Sequence, residues 1–170
     1  LKWTATLLSL WERHPEWPEL TLVQHRGDPP AHVPRNVRLI HRYLPDEELR
    51  ELQNACGIHL CPSSAEGWGH SIVEAMSCGA LVVTTDGPPM NELVRPERGI
   101  LVPWSRSEPR KLGVNYYVDG ECLEEAIDSL VHRPEAEKRS LGAQARRWFE
   151  DNDREFRIRL EALANSLIIS

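Results

Sequence analysis

Ser63-Ser64-Ala65-Glu66-Gly67-Trp68-Gly69-His70-Ser71-Ile72-Val73-Glu74-Ala75-Met76-Ser77-Cys78-Gly79 is the stretch whose reading decides the fold. It opens as a polar loop that carries Glu66 among small residues. Gly67 and Gly69 bracket one aromatic, Trp68. The segment from Ile72 to Met76 is too apolar for a loop, and Gly79 stands where a left-handed glycine stops a helix. The spacing predicts a loop that feeds the N-terminus of a short, buried helix. Glu66 sits in the loop and Glu74 about one turn into the helix.

Strands and helices alternate outward from this stretch. Upstream, Trp3 to Arg13 reads as a helix with Leu7, Leu8, Leu10 and Trp11 on one stripe, ended by His14-Pro15. Leu20 to Gln24 and Val37 to Ile40 read as strands, with a loop from Gly27 to Pro34. Pro45 opens a helix with acids in its first turn and a buried face of Leu49, Leu52 and Cys56. Gly57 to Cys61 is a strand that ends just before the central loop. Downstream, Ala80 to Thr84 is an uninterrupted apolar strand, as a parallel strand covered on both faces requires. Asp86-Gly87-Pro88-Pro89 turns the chain, and a short helix near Asn91 to Val94 leads to strand Gly99 to Val102. Trp104 to Asn115, rich in charge and proline, reads as loop. Glu121 to His132 is a helix, Pro134 starts another with Leu141, Ala145 and Trp148 inward, and a last helix carries Phe156, Leu160, Leu163 and Leu167.

Five strands alternating with helices predict an α/β class with a Rossmann-like parallel sheet and helices on both faces. In such sheets ligands bind beyond the carboxyl ends of the strands, which is where the central loop falls. The first turn of a helix has free N–H groups and a partial positive charge, so His70, Ser71 and Ile72 offer a phosphate cradle. Glycines admit a ligand close to the backbone. Ionised carboxylates accept hydrogen bonds from neighbouring hydroxyls. A phosphate site between two such carboxylates suits a ligand with sugar hydroxyls on both sides of a phosphate, a nucleotide-sugar.

Glu66-Gly67-Trp68-Gly69, then Ser71 to Met76, Gly79 and strand Ala80 to Thr84, resemble the Glu-x7-Glu signature of GT-B glycosyltransferases, most of all the retaining glycosyltransferase family 4. The match runs in order through nearly the whole chain. The resemblance implies the C-terminal, donor-binding half of a GT-B fold. It implies that Glu66 binds hydroxyls of the donor sugar, that Glu74 accepts from the ribose, and that Gly67, Trp68 and Gly69 surround the sugar. Trp68 stands where the family usually has Phe. Lys2 aligns with the Lys of a Lys-Gly pair that contacts the diphosphate, with Trp3 in place of the Gly. His41 to Leu44 would lie beside the nucleobase, and Glu92 where the family often has an acid near the donor. His70 is not read as a catalytic base, because the resembling enzymes position the acceptor mainly from their other half.

An ordinary reading exists for each residue. Glu66 is also a plausible polar loop residue, Glu74 a solvent-facing charge, Lys2 a solvated terminus, and Trp68 a core aromatic. Against the second stands the apolar surround of Glu74, which leaves its helix little solvent face and makes an unpaired carboxylate costly. The expected function is sugar transfer from a nucleoside-diphosphate sugar, UDP- or GDP-linked, to an acceptor hydroxyl, with retention. No cofactor or metal is expected. The helix N-terminus and Lys2 supply positive charge, and the sequence is read as having no Asp-x-Asp cluster for a metal-bound diphosphate. Alternatives are a nucleotide-sugar epimerase or phosphorylase on the same architecture, or a degenerate domain without catalysis, for which Trp3 and Trp68 speak.

The 170 residues suit one domain. A composition with 41% hydrophobic and 27% charged residues is ordinary for a globular protein. The net charge of −6 argues against a general nucleic-acid binder. No run approaches a membrane span, and no signal-peptide pattern opens the sequence. Cys56, Cys61, Cys78 and Cys122 lack Cys-x-x-Cys spacing and read as reduced thiols of a cytoplasmic protein. Because residue 1 is Leu and a helix follows almost at once, the chain is expected to be part of a longer two-domain enzyme. The family's first strand, and an acceptor domain, would then precede Lys2.

Overall fold

A computed structural model describes residues 3–168, and the side chains of residues 3–167. Strand β4 (Leu81–Thr85) is buried along its whole length. Its side chains alternate between two cores. Leu81 and Val83 join one core with Leu7, Leu10 and Trp11 of helix α1 (Thr4–Arg13) and Leu123, Ile127 and Leu130 of α5 (Gly120–His132). Val82 joins the other, with Ile72, Ala75 and Met76 of α3 (His70–Ser77) and Ala145 of α6 (Glu135–Ile168). A strand with apolar cover on both faces needs no polar alternation, which explains the continuous run read in the sequence.

The strands are parallel in two groups. β1 (Leu20–Val23) pairs with β2 (Val37–Ile40), while β3 (Ile58–Cys61), β4 and β5 (Ile100–Val102) pair in that order. No ladder among the described residues joins β1 to β3. Their facing edges line a groove of about 600 Å³, with Leu49 and Leu52 of α2 (Asp46–Ala55) on its wall. The expected buried face of α2 is therefore only half-buried, at Leu49, Leu52 and Cys56, because it faces a groove.

The stretch Trp104 to Asn115, expected as loop, is mostly strand. β6 (Trp104–Arg110) and β7 (Gly113–Val118) form an antiparallel hairpin, which brings the strands among the described residues to seven. The sheet-poor composition of β6 suits an exposed edge, where Pro109 and charged side chains are tolerated. The two C-terminal helices expected from the sequence are one, the 34-residue α6. Nothing breaks it between Trp148 and Phe156, and pairs one turn apart, such as Arg146–Glu150 and Arg157–Asp153, run along its surface. Phe156, Leu160, Leu163 and Leu167 keep their helical spacing but are exposed. No helix of the described residues is long and apolar enough to cross a membrane.

Local signals read from the sequence explain the ends of α3. Gly79 has φ 72°. Its N–H donates to Met76 O at 3.0 Å and the Ala80 N–H to Ala75 O at 3.1 Å, the paired bonds of a Schellman stop. That turn is also the seat of α6. An added Cβ at Gly142 would be driven well inside contact distance of the Gly79 carbonyl oxygen. The Gly142→Ala variant should therefore lose about 1–3 kcal/mol, the range for overpacking a filled interior, in urea denaturation.

On the opposite face a polar cluster ties α1 to α5. The His14 ring stacks on Trp17 at 4.1 Å, and its Nε2 lies 2.6 Å from Glu124, which also pairs with Arg13. Its Nδ1 lies 3.0 Å from Glu16. Hydrogen bonds to Glu124, then Glu16, raise the His14 pKa above its ordinary range. The charged form is thus favoured in the folded state. Its stabilising contribution should be complete below about pH 6.5, the unfolded value, and fade as pH rises through the raised folded value. His14→Phe, which keeps a ring on Trp17, should accordingly cost more stability at about pH 6 than at about pH 9.

Candidate functional site

The loop between β3 and α3 lies beyond the carboxyl end of the three-stranded sheet. Pro62 ends β3, and Ser63 N–H folds back onto Cys61 O at 2.7 Å. Ser63 and Ser64 are buried. The Ser63 hydroxyl donates to Glu66 Oε1 at 2.6 Å and so aims the carboxylate. The loop then rises to the surface. Glu66 is half-buried, Gly67 is exposed and Trp68 is 50% exposed. Trp68 is therefore a surface aromatic and not part of the core.

The two glycines differ in what demands them. Gly69 is the N-cap of α3, with φ 86°. That left-handed backbone strains any residue with a Cβ, which would also stand 2.7 Å from the movable Leu93 Cδ1 of α4 (Met90–Leu93), so the fold itself favours glycine. A Cβ at Gly67 would meet nothing within 4 Å, so packing gives no reason for glycine at that position.

Of the three amides read as a phosphate cradle, Ile72 N–H already donates to Gly69 O at 3.0 Å. Those of His70 and Ser71 have no acceptor among the described residues and open the helix towards the loop. Glu74 lies in the second turn of α3, as the spacing implies, but not in the apolar surround expected for it. The helix buries Ile72, Ala75 and Met76 and turns Glu74 outward. There Gln53 of α2 donates to Glu74 Oε2 at 2.9 Å, so the carboxylate is exposed and partnered.

Lys2 lies outside the described residues. Its neighbour Trp3 comes directly to the site, where its indole N–H donates to Ser64 Oγ at 3.3 Å. Tyr43, 68% exposed, follows β2 and meets the His25 ring edge-on at 6.3 Å. His41 Nε2 lies 3.0 Å from Gly27 O. Glu92 is exposed on α4. The chain does contain one Asp-x-Asp triplet, Asp151-Asn152-Asp153. It lies on the surface of α6, where Asp151 pairs with Arg154 and Asp153 with Arg157, as ordinary helix-face pairs. No group of three potential metal ligands occurs among the described residues.

Sequence reasoning missed the partners of the loop: Gln53 on Glu74, Leu93 against Gly69, and the hairpin. The only available signal was the run Val114-Asn115-Tyr116-Tyr117-Val118, whose β-branched and aromatic residues favour strand.

Comparison with known proteins places this geometry in a family. Residues 31–148 match the family of glycosyl transferases group 1. An α-maltose-1-phosphate synthase from Mycolicibacterium smegmatis is 30% identical over 106 residues, covering 62% of this chain. An O-antigen chain mannosyltransferase B from Escherichia coli is 44% identical over 52 residues, covering 31%. The matched segments span only 26% and 14% of those two relatives. Among solved structures, a sucrose-phosphate synthase from Thermosynechococcus elongatus superposes with a TM-score of 0.71 at 23% identity, over 96% of this chain and 41% of that one. Anabaena HepE, solved with UDP and glucose, superposes with a TM-score of 0.65 at 17% identity, over 88% and 40%. These structures share the GT-B type of fold, and with the family match over residues 31–148 the chain belongs to the glycosyl transferases group 1.

Proposed function

We propose that this chain is the donor-binding half of a retaining glycosyltransferase of the family 4 type, which moves a sugar from a nucleoside-diphosphate sugar to an acceptor hydroxyl. The observation that carries this reading is the order of groups at the sheet edge. An aimed carboxylate at Glu66, an exposed glycine at Gly67 that packing does not require, and the outward amides of His70 and Ser71 follow one another in a single loop-to-helix segment.

In this reading Glu66 accepts from hydroxyls of the donor sugar and Glu74 from the ribose. Gly67, Trp68 and Gly69 wall the sugar. The amides at the start of α3 face the diphosphate, with Ile72 holding the helix turn, and Lys2 would add positive charge as the resemblance implies. A helix N-terminus opposes the charge that grows on a leaving diphosphate, and it is already oriented when the reaction begins. The rest of the chain's contribution is to hold the donor in place. No metal enters this scheme, since helix and lysine supply the positive charge. HepE was solved with UDP and glucose and with UDP-glucose, ligands of the class proposed here. The acceptor site would belong to a preceding domain, and the isolated chain would bind donor but turn over little. The first strand of the family, proposed to precede Lys2, would enter the groove between β1 and β3.

Calorimetric titration with UDP, GDP, ADP and their sugar conjugates tests the site. One nucleotide family should bind, and Glu74→Ala should weaken it by about tenfold, the worth of a charge-assisted hydrogen bond. Absence of binding to every nucleotide, or an unaffected Glu74→Ala, would sink the assignment. The two glycines give a separate check. Gly67→Ala should leave the melting temperature unchanged and weaken conjugate binding. Gly69→Ala should lower stability by about 1–3 kcal/mol through strain and crowding against Leu93.

A further inference from the structure

The hairpin β6–β7 does not stand apart from the candidate site. The Tyr116 N–H leaves the hairpin and donates to Ser64 O at 2.7 Å. On the side of Ser64, the Trp3 indole N–H reaches Ser64 Oγ. Trp3 in turn meets the edge of Tyr117, with centroids 6.3 Å apart and planes at 68°. The Arg106 guanidinium lies 4.2 Å over the Tyr117 ring, and the Tyr117 hydroxyl donates to Glu108 Oε2 at 2.8 Å. The Tyr116 ring seals the other flank. A Cβ at Gly87, in the turn after β4, would stand 2.6 Å from Tyr116 Cγ.

Ser64 is thus gripped through both its carbonyl and its hydroxyl, two residues before Glu66. The far end of the loop is gripped by Leu93 packing against Gly69. Only the middle, Glu66 to Trp68, is open. Trp3 has a structural role here. Its ring bridges the loop to a hairpin that a glycine could not reach.

We propose that the hairpin and Trp3 form one clamp that sets the Glu66 carboxylate, with Trp3 and Tyr116 as positioning residues rather than ligand contacts. This rests on the donor-site reading above and adds a consequence to it. The clamp acts on the part of the site that holds the sugar. Trp3 and the Tyr116 N–H meet the loop at Ser64, while the Tyr116 ring packs on the core that α3 helps to form and Trp3 packs on the other core. Loosening the clamp should cost the extra affinity that a sugar conjugate has over the bare nucleotide, and leave the bare nucleotide unchanged.

Two variants separate positioning from simple stability. Trp3→Phe keeps a ring against Tyr117 and removes the indole N–H. Gly87→Ala forces the Tyr116 ring off its seat. Calorimetry with UDP, GDP or ADP and the matching conjugate should show each variant losing about fivefold of the conjugate's advantage, the worth of one neutral hydrogen bond, with the diphosphate constant unmoved. Glu66→Ala should show the same split, and Trp3→Phe should add nothing in the Glu66→Ala background. In Trp3→Phe, hydrogen exchange should quicken across residues 64–69 and stay unchanged in α3, since Trp3 packs on the opposite core. Equal losses for nucleotide and conjugate, additive effects with Glu66→Ala, or unchanged exchange in the loop would overturn the clamp while the donor site stands. A native chain that binds no nucleotide would overturn the donor reading and the clamp together.

Discussion

Burial of β4 on both faces is the constraint on which the rest of this structure depends. Five consecutive residues lose contact with water, and their side chains point alternately into two cores. Each core needs helical cover, supplied by α1 and α5 on one side and by α3 and α6 on the other. The close seat of α6 on the Gly79 turn follows from the same demand. A helix that must cover a strand closely meets the turn that feeds it, and at Gly142 there is room for hydrogen only.

That arrangement also explains why the site lies where it does. A parallel strand must be left at its carboxyl end by a connection that climbs to a helix, and the segment from Pro62 to Gly69 is that connection. Its two ends are held by packing and its centre is open. A loop held this way can present a carboxylate in one orientation without a rigid element beneath it. The Ser63 hydroxyl performs the last step of that orientation over 2.6 Å. Glu66 in the loop and Glu74 in the second turn of α3 are each held by one side-chain hydrogen bond, from Ser63 and from Gln53.

Much of this was legible in the residues. The left-handed stop at Gly79, the cap region of α3, the apolar run of β4 and the alternation of strands and helices are local signals, and each is read within a few residues. Other features were not. Charge and proline in Trp104 to Arg110 hide a strand because an edge strand has solvent on one side and needs no apolar alternation. The apolar residues of α2 do not reveal that they face a groove. The residues around Glu74 are apolar, yet the side of the helix that covers β4 is narrow enough to leave Glu74 outside. Periodicity describes which residues share a face, but not how wide a neighbour covers it.

Sequence alone determined the class of fold and the element order around the central loop, because backbone propensity and glycine geometry are local properties. Tertiary structure decided which residues are held and by what. Trp3 and Tyr116 reach Ser64 from 61 and 52 positions away, Gln53 reaches Glu74, and Leu93 presses on Gly69. Such contacts depend on how the layers stack, and stacking is set by the sum of many side-chain volumes rather than by any segment read on its own.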